Sequence, residues 1–227
     1  MSVVLGIDTS SSDLSVGIVS NGYPLASFTR YVKNSHAEHI ANIVETLLKT
    51  AGVTPKEITH TAISKGPGSF TGLRIGAAFL KGLIIGSNVK VMEISSLQLL
   101  ADAVTTRDCK ITAVIDARQG NIFTADFIKK GYKTVRLSDD ILTGSDSLKE
   151  ITLDSDIVIL DSLGNINFSI SEFIQKNSLI STANIKFQRG LNAAIIADEN
   201  IENRKFWKSA NEIKPNYMQN SYVANKR

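Results

Sequence analysis

The segment Lys65-Gly66-Pro67-Gly68-Ser69-Phe70-Thr71-Gly72-Leu73-Arg74-Ile75-Gly76 constrains this chain more than any other. It follows a β-like run, Thr59 to Ser64, and opens a helix-like run, Leu73 to Ile85. Glycine reaches positive φ and proline fixes its own, so Gly-Pro-Gly makes a sharp strand-to-helix turn. Ser69 is placed to cap the helix. Such a turn bares backbone N–H groups that can hold an anion. It can equally let another backbone come close. Gly68, Gly72 and Gly76 recur every four residues and line one helix face as a shallow groove. No Gly-Lys-Ser/Thr follows, so the turn is not a P-loop, and it is not a dinucleotide fingerprint.

Around this turn the pattern reads βββαβαβα. Val3 to Asp8 is nearly all apolar, as in a strand buried on both faces. Leu14 to Ser20 and Leu25 to Val32 follow, with Asn21-Gly22 as their hairpin turn. Ser35 starts a helix with Glu38 completing a capping box, and helical period runs to Gly52, a C-cap. The strand and glycine-turn helix come next, then a strand at 89–94 and a helix from Ser95 to Thr105. A second block begins with strands at Ile111 to Asp116, Ile122 to Ile128 and Tyr132 to Leu137. Asp139 to Asp154 reads as a polar loop, Asp156 to Leu160 as a strand, and 168–176, 190–200 and 203–211 as helices. Two blocks that both open with three strands predict an α/β protein with a duplicated mixed sheet, the second shortened. The expected domains are residues 1–106 and 107–227, the last helix returning to the first lobe.

Composition narrows the class. A 43% hydrophobic, 21% charged chain of 227 residues can bury a core and is an ordinary soluble balance. The net charge of +3 is too small to imply nucleic-acid binding by itself. The single cysteine, Cys109, excludes an internal disulfide and fits a reducing compartment. No apolar run approaches the ~20 residues that span a bilayer, and the N-terminus has no signal-peptide pattern.

Four segments together resemble the bacterial TsaB (YeaZ) family, part of the machinery that makes threonylcarbamoyladenosine on tRNA. Gly66 to Gly76 resembles its glycine signature. Val3 to Ser10 resembles its first strand and acidic turn. Ser35-His36-Ala37-Glu38 resembles its His-Ser-Glu helix entry, with Ala37 in place of serine. Asp116-Ala117-Arg118 resembles its Asp-Ala-Arg strand end. Pro215-Asn216-Tyr217 resembles the family's closing motif, with Met218-Gln219 in place of Leu-Arg. The likeness spans most of the first half and thins out after Phe127.

The resemblance implies two actin-like (ribonuclease H-like) lobes and a cytoplasmic, non-catalytic scaffold subunit. Such a subunit docks and activates a TsaD-like transferase, which modifies the adenosine 3′ of the anticodon. A TsaE-like ATPase joins them, tRNA is reached indirectly through the complex, and the chain also pairs with itself. No membrane is involved and no cofactor is expected. The alternatives are an actin-like small-molecule kinase, marked by ATP turnover, and a metallopeptidase, marked by tightly bound metal.

The residues bear on that choice. Asp8, Thr9 and Ser10, with Gly66, Gly68 and Ser69, form a candidate residual phosphate or nucleotide site. The competing and preferred reading is a strand-end aspartate that accepts turn N–H bonds. The turn after Asp8 has no glycine, and Asp161-Ser162-Leu163-Gly164-Asn165 is a weak second phosphate signal, so a full nucleotide clamp is not expected. His36 and His39 stand one helix turn apart with no third ligand at a natural spacing, and His60 reads as structural. Where the catalytic paralogue carries paired histidines for a metal, this chain has Ser95-Ser96, so no metal is expected. Asp116, Arg118 and Asp126 are an acid–base candidate, with an interdomain salt bridge preferred for the first two. Cys109 has no histidine nearby and is not a nucleophile candidate. Arg204, Lys205, Lys208 and Lys214 near Trp207 read as a helix surface, with a tRNA contact as the alternative.

The helix after the glycine turn has two apolar stripes. Leu73, Ala77, Leu80 and Ile84 make one; Ile75, Phe79, Gly82 and Ile85 lean towards another. The helix from Ser35 adds His36, Ile40 and Val44. The stripe of Leu73, Ala77, Leu80 and Ile84, with those three, is the expected partner interface, and burial within the lobe is the alternative.

Overall fold

The computed structural model describes residues 1–33, 35–105, 108–161, 180–181 and 188–214. The described residues divide into two compact units: those up to Ile94 with those from Gln188 to Lys214, and those from Ser95 to Ser181.

The first unit is built on a six-stranded sheet. β1 (Val3–Asp8) pairs antiparallel with β2 (Asp13–Ser20), which pairs with β3 (Tyr23–Tyr31). Asn21 and Gly22, at φ 49° and 83°, make the tight turn that joins β2 to β3. On the other side of β1 lies β4 (His60–Gly66), in parallel register, then β5 (Lys90–Ser95) and the short β12 (Trp207–Lys208). β1 is buried along its whole length because it is covered twice. Val3, Leu5 and Ile7 pack with side chains of α1 (His36–Ala51) and α2 (Phe70–Ile84). The alternate position, Gly6, meets the backbone of α5 (Arg189–Glu199). A Cβ on Gly6 would stand 2.1 Å from the Gly190 carbonyl oxygen, and one on Gly17 2.4 Å from Leu191 Cα. The last helix therefore packs backbone-to-backbone on the first sheet.

The second unit repeats the plan. β6 (Cys109–Arg118) pairs antiparallel with β7 (Asn121–Lys130), and β7 with β8 (Lys133–Arg136). β10 (Ile157–Asp161) lies parallel to β6 on its other side, followed by β11 (Ile180–Ser181). The spatial order β8-β7-β6-β10-β11 matches β3-β2-β1-β4-β5 of the first sheet, the expected duplicated, actin-like topology. Val114, Ile122, Leu148, Val158 and Leu160 form a buried cluster.

Four expectations need correction. The division falls at Ile94, before α3 (Ser96–Asp102), not at residue 106. Leu97, Leu99 and Leu100 of α3 are buried in the second unit, against β6, β7, β8 and β10. The stretch Asp139 to Asp154 is not a plain loop: β9 (Ile141–Gly144) pairs with β7, and α4 (Leu148–Ile151) buries Leu148. Residues 203–211 form two 3-10 turns flanking β12, not a helix. Ser35 precedes α1 without a capping box; its hydroxyl bonds the Val32 carbonyl instead. Gly52 does cap α1, in the left-handed region at φ 66°. The expected helix at 168–176, Gly164 and the closing segment from Pro215 to Gln219 lie outside the described residues. Among the described residues no helix is long and apolar enough to cross a membrane.

Candidate functional site

β1 and β4 are parallel neighbours, so Asp8-Thr9-Ser10 and Gly66-Pro67-Gly68-Ser69 emerge side by side. Gly66 and Gly68 take φ of 101° and 154°, which turns the chain into α2. Ser69 caps the helix, its Oγ accepting the Gly72 N–H at 3.2 Å. Its own N–H donates to the Ser10 carbonyl at 2.7 Å. The glycine stripe has one purpose here. A Cβ on Gly68 would fall 2.3 Å from the Ser10 carbonyl oxygen, one on Gly72 2.1 Å from that of Thr9, and one on Gly76 2.3 Å from Thr9 Oγ1. The groove is filled by the acidic turn. Of the two readings of the glycine turn, close approach of a second backbone describes it, and two of its N–H groups are already engaged by the protein.

Asp8 is wholly buried. Its Oδ1 accepts the Ser10 N–H at 3.1 Å, as expected for a strand-end aspartate. Its Oδ2 faces Arg189 Nε at 2.9 Å, with the two side chains 0% and 1% exposed. Arg189 Nη2 also donates to Ser11 Oγ. Gly190 follows, and its N–H donates to Ser15 Oγ at 3.0 Å. The first turn of α5 thus inserts a guanidinium where a cation would meet the acid. A divalent cation does not fit beside Asp8 in this arrangement, because the carboxylate already has its positive partner and its turn N–H. Arg189 escapes a motif search; its sequence signal is an arginine at the head of the small, apolar run Gly190-Leu191-Asn192-Ala193-Ala194. Thr9 Oγ1, Ser10 Oγ and Ser64 Oγ are buried with no hydrogen bond among the described residues.

The expected partner stripe is overturned. His36, Ile40, Val44, Leu73, Ala77, Leu80 and Ile84 are all at most 6% exposed in the chain itself. Ile40, Val44, Ala77, Leu80 and Ile84 belong to the first unit's core, and Leu73 is buried at 2% exposure; the His36 ring reaches the Asp13 carbonyl oxygen at 3.4 Å. The physical reason is the glycine stripe. Gly72 and Gly76 must lie on the acidic turn, and Leu73, Ala77, Leu80 and Ile84 share that inward side of α2. The opposite side carries Thr71, Arg74, Ala78 and Gly82, all exposed, with Ile75 and Phe79 half-buried beside them. At the two ends Phe70 and Ile85 are 43% and 81% exposed, and the Arg74 guanidinium lies 3.9 Å over the Phe70 ring.

The remaining candidates separate. Asp126 pairs in register with Thr112 and accepts its hydroxyl at 2.7 Å. Asp116 lies four residues further along β6, about 13 Å at ~3.3 Å per residue, so the two acids do not form a set. Asp116 instead accepts the Arg118 backbone N–H at 2.7 Å in the turn to β7. Ser95 Oγ donates to the Asp140 carboxylate at 2.8 Å and accepts the Leu97 N–H at 3.2 Å, capping α3. Cys109 is buried, and desolvation pushes its thiol up, with Asp156 and Asp108 adding and Lys129 opposing. The His60 ring packs against Trp207 at 4.6 Å between centroids, tilted by 59°, and burial holds its pKa down against a smaller pull from Asp198.

A family model described as TsaD, tRNA N6-adenosine threonylcarbamoyltransferase, matches residues 30–197. The tRNA threonylcarbamoyladenosine biosynthesis protein TsaB of Bacillus subtilis (strain 168) is 31% identical over 121 residues, 53% of this chain and 53% of that protein. Its Escherichia coli (strain K12) counterpart is 32% identical over 126 residues, 55% of this chain and 54% of its own length. The chain spans about half the length of the curated relatives it matches. A solved Pseudomonas aeruginosa structure, described as similar to peptidase YeaZ, superimposes with a TM-score of 0.79 at 20% identity, covering 96% of this chain and 100% of that one. At that identity the likeness speaks for the fold alone. The family model covers well over half of the sequence, and the chain belongs to the TsaD family.

Proposed function

We propose that this chain is a non-catalytic subunit in the making of threonylcarbamoyladenosine on tRNA. It docks and activates a TsaD-like transferase, a TsaE-like ATPase joins the pair, and tRNA is reached through the assembly in the cytoplasm. The observation that carries this reading is the Asp8–Arg189 pair. In a family named for a transferase, the acid at the end of the first strand is buried and neutralised from within the chain. A frame kept while its polar site is closed fits a docking role better than turnover. The names of the TsaB relatives supply the pathway.

The proposed docking face is the exposed side of α2, Arg74, Ala78 and Gly82 with Phe70 and Ile85 at its ends, alongside the exposed Ala37 and Ala41 of α1. Small residues let a partner helix approach closely, and the flanking Phe70 and Ile85 side chains supply apolar area. A second copy of the chain competes for the same face. The test is co-purification with a TsaD-like protein and reconstitution of the modification. Ala78→Glu places a carboxylate in that face, and about a hundredfold loss of partner affinity is expected, since an unpaired buried charge costs several kcal/mol at ~1.4 kcal/mol per decade. A folded Ala78→Glu protein that binds its partner and supports modification normally would overturn the assigned face. Failure of the unaltered chain to support modification with any TsaD-like partner would overturn the function.

A further inference from the structure

Between α5 and β12 the chain makes a 3-10 turn, Arg204–Phe206. Arg204 and Lys205 are exposed, and neither side chain has an ion pair among the described residues. Phe206 is 45% exposed. The turn is held from both sides. Trp207 Nε1 donates to the Asn200 carbonyl at 3.0 Å, its ring lies against His60, and Trp207 and Lys208 pair with Met92 and Val91 of β5. Lys208 bonds Glu93, and Phe206 N–H donates to the Asn203 carbonyl at 3.1 Å. The sequence draws the eye to Trp207, but that ring is engaged. The structure instead presents a phenylalanine preceded by two free cations on a pinned turn.

The balance of charge there is positive. Between Asn200 and Lys214 four basic residues stand against two acidic ones, and Glu212 is occupied by the Ser209 N–H and hydroxyl. Glu199 and Glu202, both exposed, precede the turn, and Lys208 is paired with Glu93, which leaves Arg204 and Lys205 as the cations of the turn itself. An exposed aromatic ring with adjacent cations suits a base to stack on and phosphates to neutralise, and only an unpaired base offers its face.

We propose that Arg204, Lys205 and Phe206 form a direct contact for single-stranded RNA, two cations on phosphates and one ring under a base. It rests on the reading of the chain as a tRNA-modification subunit, which is what brings RNA to it.

The experiment uses the full chain and a fluorescein-labelled tRNA anticodon stem-loop, with a blunt RNA duplex of equal length as comparison. Anisotropy should show the stem-loop bound more tightly than the duplex. Phe206→Ala should weaken stem-loop binding about tenfold, within the range of one lost base–aromatic stack, and Phe206→Tyr should restore it. Arg204→Ala with Lys205→Ala should flatten the log–log salt dependence by about 1.4, at ~0.7 per phosphate contact on a single strand. All three positions are on the surface, so circular dichroism should be unchanged. The inference is overturned if the unaltered chain binds no stem-loop at low salt, or if the variants bind it as well as the unaltered chain. It is also overturned if they keep RNA binding and lose a TsaD-like partner, which would make the turn a protein contact. Reconstituted modification separates the two readings. Normal activity and normal RNA binding in a variant that combines Arg204→Ala, Lys205→Ala and Phe206→Ala remove this contact and leave the proposed function. No activity from the unaltered chain removes that function, while the binding data are read on their own.

Discussion

Replacing Arg189 with methionine tests how the first unit is closed. Methionine keeps an apolar stem of similar reach and removes the guanidinium. Asp8 then remains in a site where it is 0% exposed, keeping the Ser10 N–H at 3.1 Å and losing a cation at 2.9 Å. Removing one partner of a buried ion pair costs about 3–5 kcal/mol, because the other charge is left uncompensated. Against a domain stability of ~5–15 kcal/mol this is a large fraction. Asp8→Asn combined with Arg189→Met removes both charges and should regain most of the loss, since exchanging a buried pair for neutral groups of similar volume is often neutral. The assay is urea unfolding followed by Trp207 fluorescence. Trp207 is the only tryptophan and lies in the unit that holds the pair. Midpoint shifts at unchanged slope convert to stability, and the four proteins close a double-mutant cycle. A single variant losing less than ~1 kcal/mol, the value of an exposed pair, would refute the reasoning. So would a double variant as unstable as the sum of the two singles.

Three further outcomes are expected. Gly72→Ala should destabilise by about 1–3 kcal/mol or more, as overpacking does, because its Cβ meets the Thr9 carbonyl oxygen at 2.1 Å. Gly82→Ala, with nothing within 4 Å of its Cβ, should stabilise by up to ~1 kcal/mol through helix propensity; thermal melts of the pair read the contrast. His60 is held below the ordinary imidazole value near 6.5, so the unfolded chain binds the proton at higher pH than the folded one. Stability should therefore be full above about pH 6.5 and fall as pH drops through that value, a slope that His60→Phe should flatten in urea titrations. Cys109, buried and with its thiol pushed up, should react with iodoacetamide at about pH 8 far more slowly than a free thiol of pKa ~8.5, and at the free rate once urea unfolds the chain.

The elements that were legible in the sequence are those fixed by local chemistry. The all-apolar β1, the Asn21-Gly22 turn, Gly52 as a left-handed cap and Ser69 as an N-cap each depend on residues within one turn or strand. The misses depend on what an element packs against. α3 follows the first block in sequence, yet its leucines are buried in the second unit. The stretch Asp139 to Asp154 is polar on average, but Leu148 and the pairing of β9 to β7 give it structure. The Lys and Arg spacing at 203–211 imitates a helix face; the backbone there is instead held by β12 on β5 and by Trp207 on Asn200.

The closing of the candidate site is illegible in the sequence for a related reason, while the direction of α2 is legible. Asp8 and the glycine turn were both recognisable as a pair of turns at strand ends. What neutralises Asp8 is a residue about 180 positions away in the chain, Arg189, and no local pattern reports a contact of that range. The direction of α2 is different. Gly68, Gly72 and Gly76 leave one helix face open either to an anion or to another backbone, and the acidic turn takes that face. An apolar stripe on the same side as those glycines points into the unit: Ala77, Leu80 and Ile84 join its core, and Leu73 is buried with them at 2% exposure. The side left over, where Gly82 has open space instead of a carbonyl oxygen, is the face proposed above for docking.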